Sequence, residues 1–268
     1  MSLSKRLDEA RRAFTRGDMA AAAAVHASER IIEAAKEEHG GAGSQYIGDL
    51  VYGGLDGIIT TFAVVSGVAG AQLGTPVILI LGLANLFADG FSMATGAYLS
   101  SKSEQEYYER EWQREAWEVE HFPEGERLEL IEIYRNQGYS EEDAQKLVEI
   151  QSRDPQRWVK AMMVNELRLL PDERKPLLSG LATLLAFVIA GSIPMLIYLV
   201  GLFAPISPDV AFPISIALSG LALFGLGAAK VVITRLNPFR SGVEMLIVGG
   251  LAAGVAYGVG TLLKGIGG

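Results

Sequence analysis

The chain has 268 residues, half of them hydrophobic and a fifth charged, with a mean hydropathy of +0.26. It contains no cysteine, which excludes disulfides, thiolate zinc sites and thiol catalysis and leaves any metal to carboxylates, Met sulfur, His or backbone oxygen. A net charge of −8 argues against a nucleic-acid partner, which favours a basic face.

In chain order, residues 4–38 read as a polar, Ala-rich helix with charges of both signs. Without an apolar run ahead of a small-residue cleavage site, this segment is not a secretory signal peptide. Gly40-Gly41-Ala42-Gly43-Ser44 then reads as a flexible break, so residues 1–44 are taken as a cytosolic helical appendage. Residues 57–88, 176–208, 210–229 and 245–263 contain no Asp, Glu, Lys or Arg. A helix needs only about 20 apolar residues to cross about 30 Å of hydrocarbon. Two spans share the first of these stretches, one from about Tyr46 to Ala71 and one from about Pro76 to Leu99, within a section at 45–100. Three more follow in section 177–268, at about Leu177–Gly201, Ala211–Val232 and Gly242–Leu263, with Pro194 placed to kink the first of them. Between the second and third spans the composition changes abruptly: residues 101–175 hold 19 of the 31 acidic and 12 of the 23 basic residues. The expected fold is an all-α integral membrane protein of five transmembrane helices, with a cytosolic helical metal-binding insertion at 101–176 between helices two and three.

Charge placement orients this arrangement. The first 46 residues carry seven Lys and Arg, the insertion carries twelve, and the link between helices four and five carries Lys230, Arg235 and Arg240. The short loops at 72–76 and 202–210 carry none. With five spans nearly all positive charge falls on one side, which the positive-inside rule makes cytosolic, and the C-terminus lies on the other.

Ionisable groups inside spans are the first functional candidates, because a carboxylate at mid-membrane costs about 3 kcal/mol to insert. Asp56 sits about ten residues into its helix, in Gly53-Gly54-Leu55-Asp56-Gly57, where glycines permit close helix approach or local unwinding. Asp49 lies seven residues earlier, two turns away on nearly the same face. On the second span Asn85, Asp89 and Met93 recur every four residues, so a carboxamide, a carboxylate and a thioether share one face. Oxygen with soft sulfur suits Fe²⁺ or another transition ion better than Mg²⁺ or Ca²⁺.

The insertion holds a second constellation. Glu115 and Glu118 are spaced i, i+3, as are Glu126 and Glu129, and Met162 and Met163 lie one turn before Glu166. Such faces packed together form a carboxylate and thioether cluster whose negative potential concentrates divalent cations. Glu118 to His121 also spells E-x-x-H, a di-iron spacing, but bundles of that type need two copies and His121 precedes Phe122-Pro123 at a helix end. His26 and His39 read as surface residues.

Taken together, these residues resemble the vacuolar iron transporter family, over about Gly48 to the C-terminus. The likeness rests on Gly48-Asp49-Leu50 through Leu55-Asp56-Gly57, on Ser92-Met93-Ala94, and on the Glu115/Glu118, Glu126/Glu129 and Met162-Met163…Glu166 set. Gly191-Ser192-Ile193-Pro194, Asn237-Pro238-Phe239-Arg240-Ser241 and Gly249-Gly250-Leu251-Ala252-Ala253 extend it through the last spans. The resemblance implies a homodimer whose ion path runs between the two first helices, exchanging cytosolic Fe²⁺ for protons. It implies a membrane site of Asp56 and Met93, an entrance at Asp49, and a capture site of Glu115, Glu118, Glu126, Glu129, Met162, Met163 and Glu166. Two departures stand out. Family members commonly have Glu where this chain has Ala97, so one acidic step is missing or supplied by Asp89, and the first 40 residues match no recognised part of the family.

The function expected is therefore a proton-coupled divalent-metal exporter rather than an enzyme, with no permanent cofactor. The cargo is Fe²⁺, with Mn²⁺, Co²⁺ and Zn²⁺ open because carboxylate and thioether sites bind them all. Its partners are the bilayer, metal ions, protons and a second copy of the chain. A bacterial inner membrane is the expected location, with a vacuolar membrane the alternative. Two other readings are a membrane-anchored iron-binding or storage protein and a ferroxidase built on Glu118 and His121.

Overall fold

The computed structural model describes residues 5–28, 30–31, 44–204, 206–229 and 237–264, and among them every regular element is helical. In chain order these are α1 (Lys5–Arg16), α2 (Met19–Val25), a 3₁₀ turn (Ser44–Tyr46), α3 (Ile47–Gly70) and α4 (Thr75–His121). Next come α5 (Pro123–Asn136), α6 (Glu141–Gln151), α7 (Pro155–Asn165) and α8 (Pro176–Gly191). A 3₁₀ turn at Ile193–Met195 leads to α9 (Leu196–Val200), followed by α10 (Pro208–Ala229) and α11 (Pro238–Leu263). The chain divides into two compact units, residues 98–176 and the remainder.

The single helix expected over residues 4–38 is interrupted. Gly17 takes φ +64°, a left-handed conformation that ends α1, and Asp18 restarts the chain as N-cap of α2 by accepting the Ala21 N–H at 2.9 Å. The expected break at Gly40-Gly41-Ala42-Gly43, His39, Lys230, Arg235 and the end of the fourth span at Val232 lie outside the described residues.

Among the described residues, five helical stretches are long and apolar enough to cross a membrane: α3, the apolar part of α4, α8 with α9, α10 and α11. Their outer faces carry exposed large apolar side chains, such as Ile80, Phe87 and Phe91 on α4 and Ile247, Leu251 and Val255 on α11, as lipid contact requires. Pro194 does more than bend its helix. Without an amide hydrogen it cannot continue α8, which stops at Gly191; a 3₁₀ turn intervenes, and the Ser215 hydroxyl donates to the Pro194 carbonyl at 2.6 Å.

Within this unit α3 packs on α10, α11 and the Ile193–Met195 turn. It also meets α8 so closely that a Cβ at Gly53 or Gly57 would fall 2.6 or 2.5 Å from the carbonyl oxygens of Thr183 and Phe187. Small residues allow such backbone approach in a bilayer, where dispersion contacts hold helices together. Of the two uses expected for these glycines, close approach is realised and unwinding is not, since α3 is an unbroken helix.

In the second unit α4 continues past the apolar zone without a break, although the composition changes at residue 101. Charged side chains are compatible with a helix once it leaves hydrocarbon. Phe122-Pro123 ends it and starts α5, Ser140 caps α6 through the Asp143 N–H, and Asp154 with Pro155 opens α7. The helices close over Val119, Leu130, Tyr134, Val148, Trp158, Met162 and Met163, all buried. The segment after α7 is held to α4: Gln105 donates to the carbonyls of Asp172 and Arg174, Ser101 donates to Asp172, and Arg174 bridges Asp172 and Glu104.

Candidate metal pathway and capture site

Two groups of candidate side chains emerge, one in each unit. In the first, α3 and α4 run as a hairpin and meet at a polar contact. Asn85 Nδ2 lies 3.5 Å from Thr60 Oγ1, and Thr60 in turn donates to the Asp56 carbonyl at 2.8 Å. One turn along, Asp56 and Asp89 lie within electrostatic reach of each other. Asp56, Asn85, Asp89 and Met93 are all half-buried, beside the row Gly82, Leu86, Gly90 and Ala94 that α4 buries. This register sets Asp89 opposite Asp56 and places Met93 one further turn, about 6 Å, along α4 towards the level of Asp49. Asp49 accepts a 2.5 Å hydrogen bond from Ser179 on α8. Ser179 is buried, and its carbonyl accepts from Thr183 one turn later, so α8 presents the hydroxyl in a fixed position.

The second group lies in unit 98–176. Glu115 is fully buried and Glu126 is 7% exposed, and the Oε2 atom of each has no hydrogen-bond partner. An unpaired buried carboxylate oxygen is costly, so each acid is pushed towards its neutral form. Burial, then the Glu166 charge, raises the Glu115 pKa to about 7. Burial, followed by Glu118 and Glu129, does the same for Glu126, again to about 7. Glu166, at the end of α7, is raised by burial and by Glu129. The five acids expected from the sequence therefore share one field, although α4, α5 and the end of α7 supply them separately. Met162 and Met163 sit in the hydrophobic core with no exposure, and the Glu166 N–H donates to the Met162 carbonyl at 2.9 Å.

Two residues of this cluster escape the sequence reading. Arg114 places Nε 2.9 Å from Glu111 Oε2 and Nη2 2.5 Å from Glu115 Oε1, and its Nη1 pairs with Glu118. The Arg114 hydrogen bond, partly opposed by burial and reinforced by the charges of Arg114 and Arg110, holds Glu111 below the usual carboxylate range. The available signal is a lone Arg spaced three and four residues from Glu111 and Glu118 on one helix. Among the described residues, no three Asp, Glu or His side chains converge as a preformed metal cage. His121, of the E-x-x-H spacing, is the last residue of α4; its Nδ1 lies 2.8 Å from the Trp117 carbonyl and its ring stacks on Trp117. His26 is exposed.

The VIT family model matches residues 47–261. Similar proteins include a vacuolar iron transporter of Toxoplasma gondii, 40% identical over 96% of this chain and 88% of its own length. A vacuolar iron transporter of Plasmodium falciparum is 32% identical over 98% of each chain, and vacuolar iron transporter 1 of Arabidopsis thaliana is 34% identical over 82% of this chain and 87% of its own. The family model begins at residue 47, while the alignments with the Toxoplasma and Plasmodium falciparum relatives, at 96% and 98% of the chain, extend into residues 1–44. The family model spans all five membrane-length helices and the helical insertion between the second and third, and the chain belongs to the VIT family of vacuolar iron transporters.

Proposed function

We propose that this protein carries ferrous iron out of the cytosol across its membrane in exchange for protons, as a dimer of two copies. The observation that carries this reading is the pairing of Asp56 with Asp89 across the α3–α4 hairpin, inside apolar spans whose only other acidic or basic side chain is Asp49. A tether or storage anchor has no use for two facing carboxylates there, whereas an exchanger does, since metal and proton compete for the same oxygens.

The direction follows from charge placement. The Lys and Arg of the N-terminal segment and of residues 101–175 put both on the cytosolic side, where the acidic cluster of Glu115, Glu118, Glu126, Glu129 and Glu166 collects divalent cations. The ion then passes Asp49, held by Ser179, and reaches Met93, Asp89 and Asp56 in turn, with Asn85 beyond. Met162 and Met163 border the capture cluster as core residues whose sulfurs become ligands on rearrangement. All four membrane-site side chains are only half-buried in one subunit, so a second copy facing α3 and α4 completes the path.

Competition among metals tests the reading. Proteoliposomes holding the purified protein should take up Fe²⁺, and Mn²⁺, Co²⁺ and Zn²⁺ should each compete. Met93→Ala should weaken the preference for Fe²⁺ over Mg²⁺ more than it slows flux. No Fe²⁺ flux by the wild type, in vesicles that retain folded protein, would refute transport.

A further inference from the structure

The acidic cluster contains its own cation. Arg114 holds Glu111, Glu115 and Glu118 at once through a guanidinium whose geometry matches carboxylates, and its side chain is 39% exposed. Beside it, two deeply buried carboxylate oxygens, Glu115 Oε2 and Glu126 Oε2, have no partner. The same guanidinium opposes the mutual repulsion felt by Glu115, Glu126 and Glu166. As the side chains stand, no three acids converge on a metal-sized space, and two of those needed are engaged by Arg114.

We propose that Arg114 is the resident counter-ion of the capture cluster, and that a divalent metal loads by displacing its guanidinium from Glu115 and Glu118 into solvent. This rests on the reading of the cluster as a metal-capture site. Exchange of a single positive charge for a double one explains how the cluster stays folded when empty and why a divalent ion wins. The metal satisfies the two unpaired oxygens that the guanidinium leaves unmet, while the released Arg114 returns to water along its own flexible stem. Arg114 thereby sets the loading threshold: the empty site is stabilised, and capture occurs only above a metal concentration that overcomes its two charge-assisted bonds to Glu115 and Glu118.

The test is Co²⁺ binding to the full-length, metal-stripped protein in detergent at mildly alkaline pH, by calorimetry and by quenching of tryptophan fluorescence. All three tryptophans, Trp112, Trp117 and Trp158, lie in unit 98–176, so quenching reports this site. Arg114→Gln should bind Co²⁺ about tenfold tighter than wild type, a change of about 1.4 kcal/mol. Arg114→Lys, which keeps the charge but cannot span three carboxylates, should fall between them, and it carries the test alone if the Gln variant does not fold. Glu126→Gln should lose most binding. Affinity equal to or weaker than wild type in the Arg114 variants, with Glu126→Gln still defective, overturns the counter-ion role and leaves the capture site standing. Wild-type protein that does not quench with Co²⁺, or Glu126→Gln that binds as wild type does, overturns both.

Discussion

Metal-free protein should lose stability in its helical insertion as the pH rises, opposite to the trend of domains held by salt-bridged carboxylates. Glu115 and Glu126 titrate near 7 in the folded chain, well above the ordinary carboxylate value of 4.5 that they regain on unfolding. Between those values the folded state holds protons that the unfolded state has released. The stabilisation is therefore fully present below pH about 4.5 and is lost as pH climbs through about 7. At 1.36 kcal/mol per pKa unit, and with part of each shift shared between interacting acids, the loss for the pair comes to roughly 2–4 kcal/mol. Because the chain's three tryptophans all lie in unit 98–176, urea unfolding followed by intrinsic fluorescence reads this unit alone. In chelator the urea midpoint should fall steadily from about pH 5 to about pH 8, and Glu115→Gln with Glu126→Gln should flatten the curve. A wild-type midpoint that stays level or rises over that range would refute the placement of these carboxyls as buried and underpaired.

Three further outcomes follow from particular contacts. Gly57→Ala, whose new Cβ would stand 2.5 Å from the Phe187 carbonyl oxygen, should force α3 and α8 apart and lower thermal stability by about 1–3 kcal/mol, read as a lower melting temperature in detergent. Ser179→Ala removes the donor to Asp49 and should slow Fe²⁺ uptake severalfold and lower the melting temperature by a few degrees, since a hydrogen bond to a charged group is worth about 1.5–3 kcal/mol. Glu126→Gln should reduce uptake most at low external Fe²⁺ and little at saturation, the pattern of lost capture rather than lost conduction.

Much of this architecture is legible in the sequence because the bilayer imposes a coarse rule. Charge-free stretches of sufficient length must be helices, so the five spans and the charged insertion could be placed by reading where Asp, Glu, Lys and Arg stop. What the rule does not see is helix continuity. α4 runs from Thr75 to His121 through the change at residue 101, since leaving hydrocarbon alters which side chains are favoured but not the backbone. Gly17 ends α1 through a single positive φ and Asp18 caps the next helix, a local stop-and-start signal that the Ala-rich composition around it masks. Four acids of the cluster in unit 98–176, Glu115 with Glu118 and Glu126 with Glu129, are visible as i, i+3 pairs, but the field they share with Glu166 depends on how α4, α5 and α7 pack. Arg114 reads as one more surface charge until Glu115 is seen to be buried beside it. Similarly, Asp49 announces itself by its position in a span, whereas its partner Ser179 lies 130 residues away.

Coupled movement of iron and protons is the most direct test of the central claim that Asp56 alternates between the two. Proteoliposomes loaded with a pH-sensitive dye and given external Fe²⁺ should show uptake of metal together with alkalinisation of the lumen as protons leave. Asp56→Asn should abolish both signals while the protein remains folded. Iron uptake by Asp56→Asn at the wild-type rate, or wild-type uptake with no accompanying change of lumenal pH, would contradict the account.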